Sequence, residues 1–249
     1  LCAGAALPAW LADQPRVYSW FGAGDDAVRR RIAAASSRVR FLRVERGAGR
    51  AHAAVAYLRA VDAPSRTARP GRTAAGRIVA PASPAADALW AGCRRPVLVL
   101  HRGAGAPAKC WASEGFSRVA EWWAARGGIV LELAGPAEAA RPVVPGTTVL
   151  RDWPLHDVGA VLARSTVYLG NDSGISHLAG AVGSCGVVLF GPTDPARWRP
   201  LAGALRPIRA STWLPAGIPL RALPAARVIG ACRRTLALTR GNPDTSVGS

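Results

Sequence analysis

The chain has 249 residues, half of them hydrophobic, which is enough for one large α/β domain or two small ones. No stretch approaches the ~18 consecutive apolar residues of a membrane-spanning helix, and residues 1–12 lack the basic start of a signal peptide. The five cysteines are scattered and form no CxxC pair, so we expect reduced thiols in a cytoplasmic protein rather than a disulfide framework.

The net charge of +17 comes almost entirely from arginine. Such a charge would attract a polyanion, such as nucleic acid, an anionic membrane face or a phosphorylated glycolipid. The favoured explanation of this charge is a GC-rich genome, which enriches arginine together with alanine, glycine and proline. No basic run alternates with aromatic residues as in nucleic-acid modules. Nucleic-acid binding is therefore not expected, whereas peripheral contact with an anionic inner membrane stays open. Lys109 is the only lysine, which indicates a position that needs a compact point charge rather than a planar guanidinium.

The first third of the chain is predicted to form an incomplete α/β domain. A short strand at residues 17–20 leads through a glycine turn at 22–26 into an arginine-rich helical stretch, and a second strand is predicted at 39–44. Apolar residues at helical spacing predict a helix over 51–61. Residues 62–84 are rich in proline, alanine, arginine, serine and threonine without a sustained period, which predicts a linker.

The second part is more regular and predicts a doubly wound parallel sheet. Its apolar strands are expected at residues 96–100, 129–133, 147–150, 166–169 and 186–190. Three intervening helices are predicted from apolar stripes at helical spacing. The stripes consist of Phe116, Val119, Ala120 and Trp123, of Leu155, Val158 and Leu162, and of Ile175, Leu178, Ala179 and Val182. Ser113 is the predicted N-cap of the first of these helices. This predicts a partial N-terminal domain with its linker, a complete Rossmann-like domain, and a C-terminal helix and tail, at residues 1–92, 93–222 and 223–249.

The polar loops of the second part follow residues 100, 133, 169 and 190, where predicted strands end. Because the carboxyl ends of parallel strands meet at one edge of a sheet, these loops converge there. They can therefore build a single site, and their convergence is a stronger sign of binding than any one motif.

One of these loops, Gly170-Asn171-Asp172-Ser173-Gly174, joins a strand to a helix. Its backbone N–H groups and the helix N-terminus suit phosphate oxygens, and His177 follows Ser173 on the same helical stripe. The same residues fit a plain helix start, in which Asp172 or Ser173 is the N-cap and the glycines serve the turn. The pattern alone leaves both interpretations open.

The run GNDSGISHLAGAVG, followed by LFGPTDP, resembles the signature of glycosyltransferase family 9, the lipopolysaccharide heptosyltransferases and their relatives. The resemblance covers residues 96–200 well and residues 17–58 more weakly. It implies the GT-B architecture, in which two Rossmann-like domains face a cleft and the C-terminal one holds most of the sugar nucleotide. The expected fold is therefore α/β and GT-B-like, with one complete Rossmann-like parallel-sheet domain preceded by a partial α/β domain.

The resemblance also implies roles in binding a nucleoside-diphosphate sugar. Residues 101–105 and Lys109 are similar to the family's HPGSG…K.W segment, whose lysine faces the donor phosphates, and Glu138 matches an acid that reaches the ribose or base. Arg102 and Ala104 depart from the usual Pro and Ser or Thr, so a hydroxyl contact to phosphate is missing. The donor-binding residues implied are Gly103, Gly105, Lys109, Glu138, Asp172, Ser173, Gly174 and His177.

The implied reaction is inverting transfer of a sugar, with heptose as a candidate, to a cell-envelope glycolipid or glycan at the inner membrane. No cofactor or metal is expected, because the chain has no Asp-x-Asp pair of the kind that holds a metal in many sugar transferases. Lys109 and the amides around Ser173 and Gly174 are the expected source of positive charge for the departing diphosphate.

The catalytic base is not assigned. The family's N-terminal strand and loop, which carry the aspartate proposed as base, have no counterpart in the sequence. Asp25 and Asp26 are the carboxylates beside the first glycine turn, and surface solvation is favoured for them. A nucleotide-sugar-binding protein without catalysis is the alternative function. A dinucleotide-binding oxidoreductase is disfavoured, because no GxGxxG motif opens a helix.

Overall fold

The computed structural model describes residues 13–20, 24–42, 51–61, 77–212 and 218–240. The chain divides into two compact units, Leu1–Ala68 and Arg69–Ser249. Residues 77–92 fall in the second unit, and the sequence-based division after residue 92 stays a prediction. Parts of the predicted elements lie outside the described residues, namely 1–12, 22–23, 43–44, 62–76 and 241–249.

The first unit contains a parallel strand pair and two helices. In chain order these are β1 (Val17–Ser19), α1 (Asp26–Ala35), β2 (Val39–Phe41) and α2 (Ala53–Ala60), with β1 and β2 paired in parallel. The Asp25 carboxylate accepts hydrogen bonds from the N–H groups of Ala27 and Val28, so it caps α1. The predicted order of elements is confirmed, and the carboxylate of Asp25 has a local structural role.

The second unit is built on a parallel sheet of six strands. They are β3 (Val97–His101), β4 (Ile129–Ala134), β5 (Thr148–Arg151), β6 (Val167–Asn171), β7 (Cys185–Phe190) and β8 (Ala204–Arg209). Their order across the sheet is β5-β4-β3-β6-β7-β8. Every residue of β3 and β6 is buried, as expected of strands covered on both faces. Strand order reverses between β3 and β6, and such a switch point is where doubly wound sheets bind ligands.

Helices cover both faces of this sheet. They are α3 (Pro84–Trp90), α4 (Ser113–Ala124), α5 (Leu155–Arg164), α6 (Gly174–Ala181), α7 (Pro195–Trp198) and α8 (Ala225–Arg240). α4 and α8 pack on one face, and α3, α5 and α6 pack on the other. The complete Rossmann-like domain is thus confirmed. None of the helices in the described ranges has the length and apolar content needed to cross a bilayer.

Three local features differ from the predictions. The N-cap of α4 is Ala112, so the prediction of Ser113 is wrong; the Ser113 hydroxyl instead accepts a hydrogen bond from Arg102 Nη1 at 3.3 Å. α3 is missing from the predicted elements, although Ser83 and Pro84 form a typical capped helix start. β8 is also missing, because its sequence ALRPIR has no apolar run; it is an edge strand, where proline and arginine are tolerated.

Candidate active site

Loops from neighbouring strands meet at the switch point. His101, the last residue of β3, pairs with Gly170 of β6 in the sheet register, and β7 lies on the other side of β6. The loops that follow β3, β6 and β7 therefore leave the sheet side by side. The predicted convergence of polar loops at one edge is confirmed by this strand order.

An ion pair joins two of these loops, and a hydroxyl from the third completes it. Lys109 Nζ lies 2.8 Å from Asp172 Oδ2, and Thr193 Oγ1 donates a hydrogen bond to the same oxygen at 2.7 Å. The Asp172 side chain is 6% exposed and that of Lys109 is 29% exposed. The structure thus brings together two of the predicted donor-binding residues. Thr193, which the sequence places in a turn after a strand, is an additional member.

Asn171 fixes the relative position of the β3 and β6 loops. Its side chain is fully buried. Its Oδ1 accepts a hydrogen bond from the Trp111 N–H at 3.1 Å, and its Nδ2 donates to the Arg102 carbonyl at 2.8 Å. The sequence signal for this role is a carboxamide at the end of an apolar strand, where an unpaired amide would be costly.

The start of α6 has a side-chain cap, and the residue after the cap is exposed to solvent. Ser173 is the N-cap, and its hydroxyl accepts from the Ser176 N–H at 3.4 Å. Gly174 is exposed, and a Cβ placed on it would meet no atom within 4 Å. The plain helix-start interpretation is therefore correct for Ser173, while the space in front of Gly174 remains accessible to a ligand. His177 lies on the exposed side of the same helix.

His101 is a buried histidine beside this helix start, and it is absent from the predicted site. Its Nδ1 lies 3.2 Å from Ser173 Oγ. Burial lowers the pKa of His101 to about 4; Arg141 acts in the same direction, and Glu138 and Glu132 oppose it. The imidazole is therefore neutral near pH 7, with one nitrogen as donor and the other as acceptor.

Glu138 is held opposite His101 by a tight 3-10 turn, Pro136–Glu138. Its Oε2 accepts the Gly135 N–H at 3.0 Å, and its side chain is largely buried. A Cβ on Gly103 would lie 2.2 Å from Glu138 Oε1 and 2.9 Å from His101 Nε2. Only glycine therefore leaves room for both side chains at this point.

A cavity of about 350 Å³ lies beside these groups. His101 and Glu138 form part of its polar lining, and apolar residues such as Leu150, Trp153 and Ile175 form much of the rest. Its mixed lining and its position at the carboxyl ends of strands are typical of small-molecule sites. Two larger cavities, of about 530 and 500 Å³, lie against α8 and include none of the predicted donor-binding residues in their linings.

Of the eight predicted donor-binding residues, Glu138 is the one that lines this cavity. Arg102 turns into the protein and donates to Glu132 Oε1 at 2.7 Å and to the Pro142 carbonyl at 2.6 Å. Gly105 is exposed, and a Cβ there would meet nothing within 4 Å. Within the described ranges, no group of three or more His, Cys, Asp or Glu side chains is arranged to hold a metal ion.

A family model and curated relatives match parts of this chain. The family model of glycosyltransferase family 9 (heptosyltransferase) matches residues 34–215. The lipopolysaccharide heptosyltransferase 3 of Escherichia coli K12 is 32% identical over 124 residues, which cover 46% of this chain and 36% of that protein. The matched region thus spans about a third of the length of that relative.

Solved structures show the same fold. A family 9 glycosyl transferase from Veillonella parvula aligns with a TM-score of 0.66 at 20% identity, over 80% of this chain and 63% of that one. The E. coli ADP-heptose lps heptosyltransferase II aligns with a TM-score of 0.65 at 20% identity, over 92% of this chain and 72% of that one. The GT-B-like α/β fold expected from the sequence is confirmed by this likeness.

Proposed function

Because the chain belongs to glycosyltransferase family 9, we propose that it transfers a sugar from a nucleoside-diphosphate donor to an acceptor hydroxyl. The observation that carries the proposal is the cluster of Lys109, Asp172 and Thr193 at the switch point, next to a cavity of nucleoside size. These groups lie between residues 93 and 222, the stretch predicted as the donor domain.

The donor nucleoside occupies the cavity, with Glu138 toward its ribose or base. The diphosphate then lies across the start of α6, where the backbone N–H groups around Ser173 and Gly174 point outward. Lys109 is partly exposed, and its ammonium has three N–H donors, of which one bonds to Asp172. Asp172 thus orients Lys109, and the remaining donors bind phosphate oxygens.

Lys109 acts mainly on the leaving group. As the bond between the sugar and the diphosphate breaks, negative charge grows on the diphosphate, and a positioned ammonium and helix amides stabilise it in the transition state. This arrangement supplies positive charge without a metal. A carboxylate takes the proton of the acceptor hydroxyl, which attacks the anomeric carbon opposite the departing diphosphate and inverts it.

The substrates are proposed from the relatives. The name of the E. coli ADP-heptose lps heptosyltransferase II favours an ADP-linked heptose as donor. The acceptor is a cell-envelope glycolipid or glycan, met at the cytoplasmic face of the inner membrane. The net charge of +17 favours contact with such an anionic acceptor or membrane.

Nucleotide-sugar binding without catalysis is the second candidate. It is favoured by the capping role of Asp25, whose carboxylate already accepts the N–H groups of Ala27 and Val28. Transfer of sugar from a bound donor to an acceptor extract, measured as release of nucleoside diphosphate, separates the two functions.

A thermal-shift screen with ADP, UDP, GDP and dTDP tests the donor site. A ligand that binds the folded protein raises its melting temperature by mass action, by an amount set by about RT ln(1 + [L]/Kd). We expect at least one nucleoside diphosphate to raise the melting temperature, and ADP to give the largest rise. No rise with any of the four at millimolar concentration would contradict the proposed site.

A further inference from the structure

The cavity of about 530 Å³ lies on the face of the sheet that α4 and α8 cover, and both helices contribute to its lining. Apolar residues form much of that lining, namely Pro96, Trp123, Leu236 and Ala237. Pro96 directly precedes β3, so this α4–α8 groove lies toward the amino ends of the strands. The donor-binding loops follow the carboxyl ends, so the groove is a separate surface with its own chemistry.

The polar side chains of the α4–α8 groove are all hydrogen-bond donors. Arg126 and Arg233 are exposed, and a guanidinium has N–H donors and no acceptor. The Trp122 N–H is buried and has no hydrogen-bond partner in the described part of the chain, whereas the Trp123 N–H donates to the Pro96 carbonyl at 3.2 Å. No acidic residue belongs to the described lining. The groove therefore suits a ligand with an apolar body and a negatively charged head that accepts hydrogen bonds.

Contacts with Trp122 fix the position of the Arg126 side chain. Its Cζ lies 4.7 Å from the centre of the indole ring, and its Nη1 donates to the Trp122 carbonyl at 3.0 Å. Arg95 adds a positive charge at the same end of the strands, since it donates to the carbonyls of Gly127 and Gly128. In the described ranges, neither arginine has a carboxylate partner. Tryptophan and arginine beside an apolar surface are typical of the boundary between water and lipid.

We propose that the α4–α8 groove docks the protein onto an anionic membrane. The phosphate of an anionic phospholipid lies against Arg126 and Arg233, and part of its acyl chain lies along the apolar lining. The position of these arginines around an apolar groove favours a membrane, because burial of apolar area and attraction to anionic lipid then act together. This rests on the membrane contact in the proposed function and names the surface that makes it. The carboxyl edge of the sheet stays open to a nucleotide from solution.

Co-sedimentation of the full chain with vesicles tests the groove. We expect wild type to sediment with vesicles of phosphatidylglycerol and phosphatidylcholine but not with phosphatidylcholine alone, and to be released by added salt. The double variant Arg126→Gln with Arg233→Gln should bind the anionic vesicles about tenfold more weakly, because each arginine near such a surface contributes to the attraction. The matched control, Arg151→Gln with Arg221→Gln, removes the same charge at two exposed positions outside the lining and should bind as wild type does.

A second measurement reports whether an acyl chain enters the groove. Bromine on the acyl chains quenches the fluorescence of an indole only at close contact. With all protein bound to such vesicles, we expect wild type to be quenched and Trp122→Phe to lose a distinct part of that quenching. Phenylalanine keeps an aromatic ring beside Arg126, so the change reports contact with lipid rather than loss of the fold.

Several results would overturn the inference. Equal vesicle binding by the Arg126 and Arg233 double variant and its control, or unchanged quenching in Trp122→Phe, would remove the groove from the membrane contact. A concentration-dependent dimer that the double variant abolishes would assign the groove to a second copy of the chain. Failure of wild type to sediment with the anionic vesicles would overturn both the inference and the proposed membrane contact, whereas nucleotide binding at the donor site would be unaffected.

Discussion

Two ion pairs involve the segment that follows β3, and they differ in their access to water. Arg102 and Glu132 have side chains that are 5% and 3% exposed, whereas those of Lys109 and Asp172 are 29% and 6% exposed. The guanidinium of Arg102 bonds to groups inside the protein, and the ammonium of Lys109 is partly open to solvent. One pair therefore maintains the shape of the loop, while the other keeps a charge available to a ligand.

Replacing Arg102 by Met should cause the largest loss of stability. It leaves the Glu132 carboxylate buried without its counter-ion, and removing one partner of a buried pair costs about 3–5 kcal/mol. Denaturant unfolding of wild type and Arg102→Met measures the difference.

The matched double variant Arg102→Met with Glu132→Leu should recover most of that loss, because no uncompensated charge stays buried. A loss of about 1 kcal/mol or less in the single variant, as for an exposed ion pair, would contradict the structural role assigned to Arg102.

Burial of His101 should make stability depend on pH. Its pKa is about 4 in the folded protein against a usual 6.5. Between these values the unfolded chain binds a proton that the folded chain does not, so the free energy of unfolding falls as pH drops from 6.5 to 4, by up to about 3 kcal/mol. Below about pH 4, His101 contributes no further loss.

The comparison with His101→Gln isolates this contribution from that of other titrating groups, and urea unfolding at several pH values measures it. The stability advantage of wild type over the variant should shrink as pH falls. Two parallel pH profiles would show that burial does not hold His101 in its neutral form.

Gly174→Ala should separate ligand binding from stability. A Cβ at this exposed position meets no protein atom within 4 Å, so the free energy of unfolding should change by no more than about 0.5 kcal/mol. The added methyl group would occupy the approach to the α6 start, and we expect nucleoside-diphosphate affinity to fall by about tenfold.

The control is Gly230→Ala on α8, where the added Cβ would meet Arg234 Nη1 at an ordinary 3.6 Å; it should leave nucleotide affinity unchanged. Full affinity in Gly174→Ala, measured by calorimetry, would show that the diphosphate does not lie at the start of α6.

Much of the second unit could be predicted because its signals are local. The five predicted strands are apolar runs of four or five residues, and the stripe from Phe116 to Trp123 repeats at helical spacing. Convergence of the loops then follows because the strands run parallel and are joined by right-handed crossovers. The edge strand β8 is missing from the prediction because its local signal is weak, whereas α3 is missing despite its capped start.

The contacts within the site could not be predicted because they join distant parts of the chain. Lys109 and Asp172 are 63 residues apart, and His101 and Ser173 are 72 apart. The sequence predicts Asp172 to be a donor-binding residue, and the structure shows that its carboxylate is bonded to Lys109 and Thr193. The sequence pattern predicts which residues lie at the carboxyl edge of the sheet, whereas coordinates are needed to show which of them contact one another.

Calorimetric titration of ADP into wild type and Lys109→Ala tests most directly whether Lys109, the partly exposed member of its ion pair with Asp172, binds the diphosphate. A charged hydrogen bond to phosphate contributes about 1.5–3 kcal/mol, so affinity should fall at least about tenfold in the variant. Equal affinities for ADP in the two proteins would contradict the account, because the ammonium of Lys109 would then have no part in binding the donor.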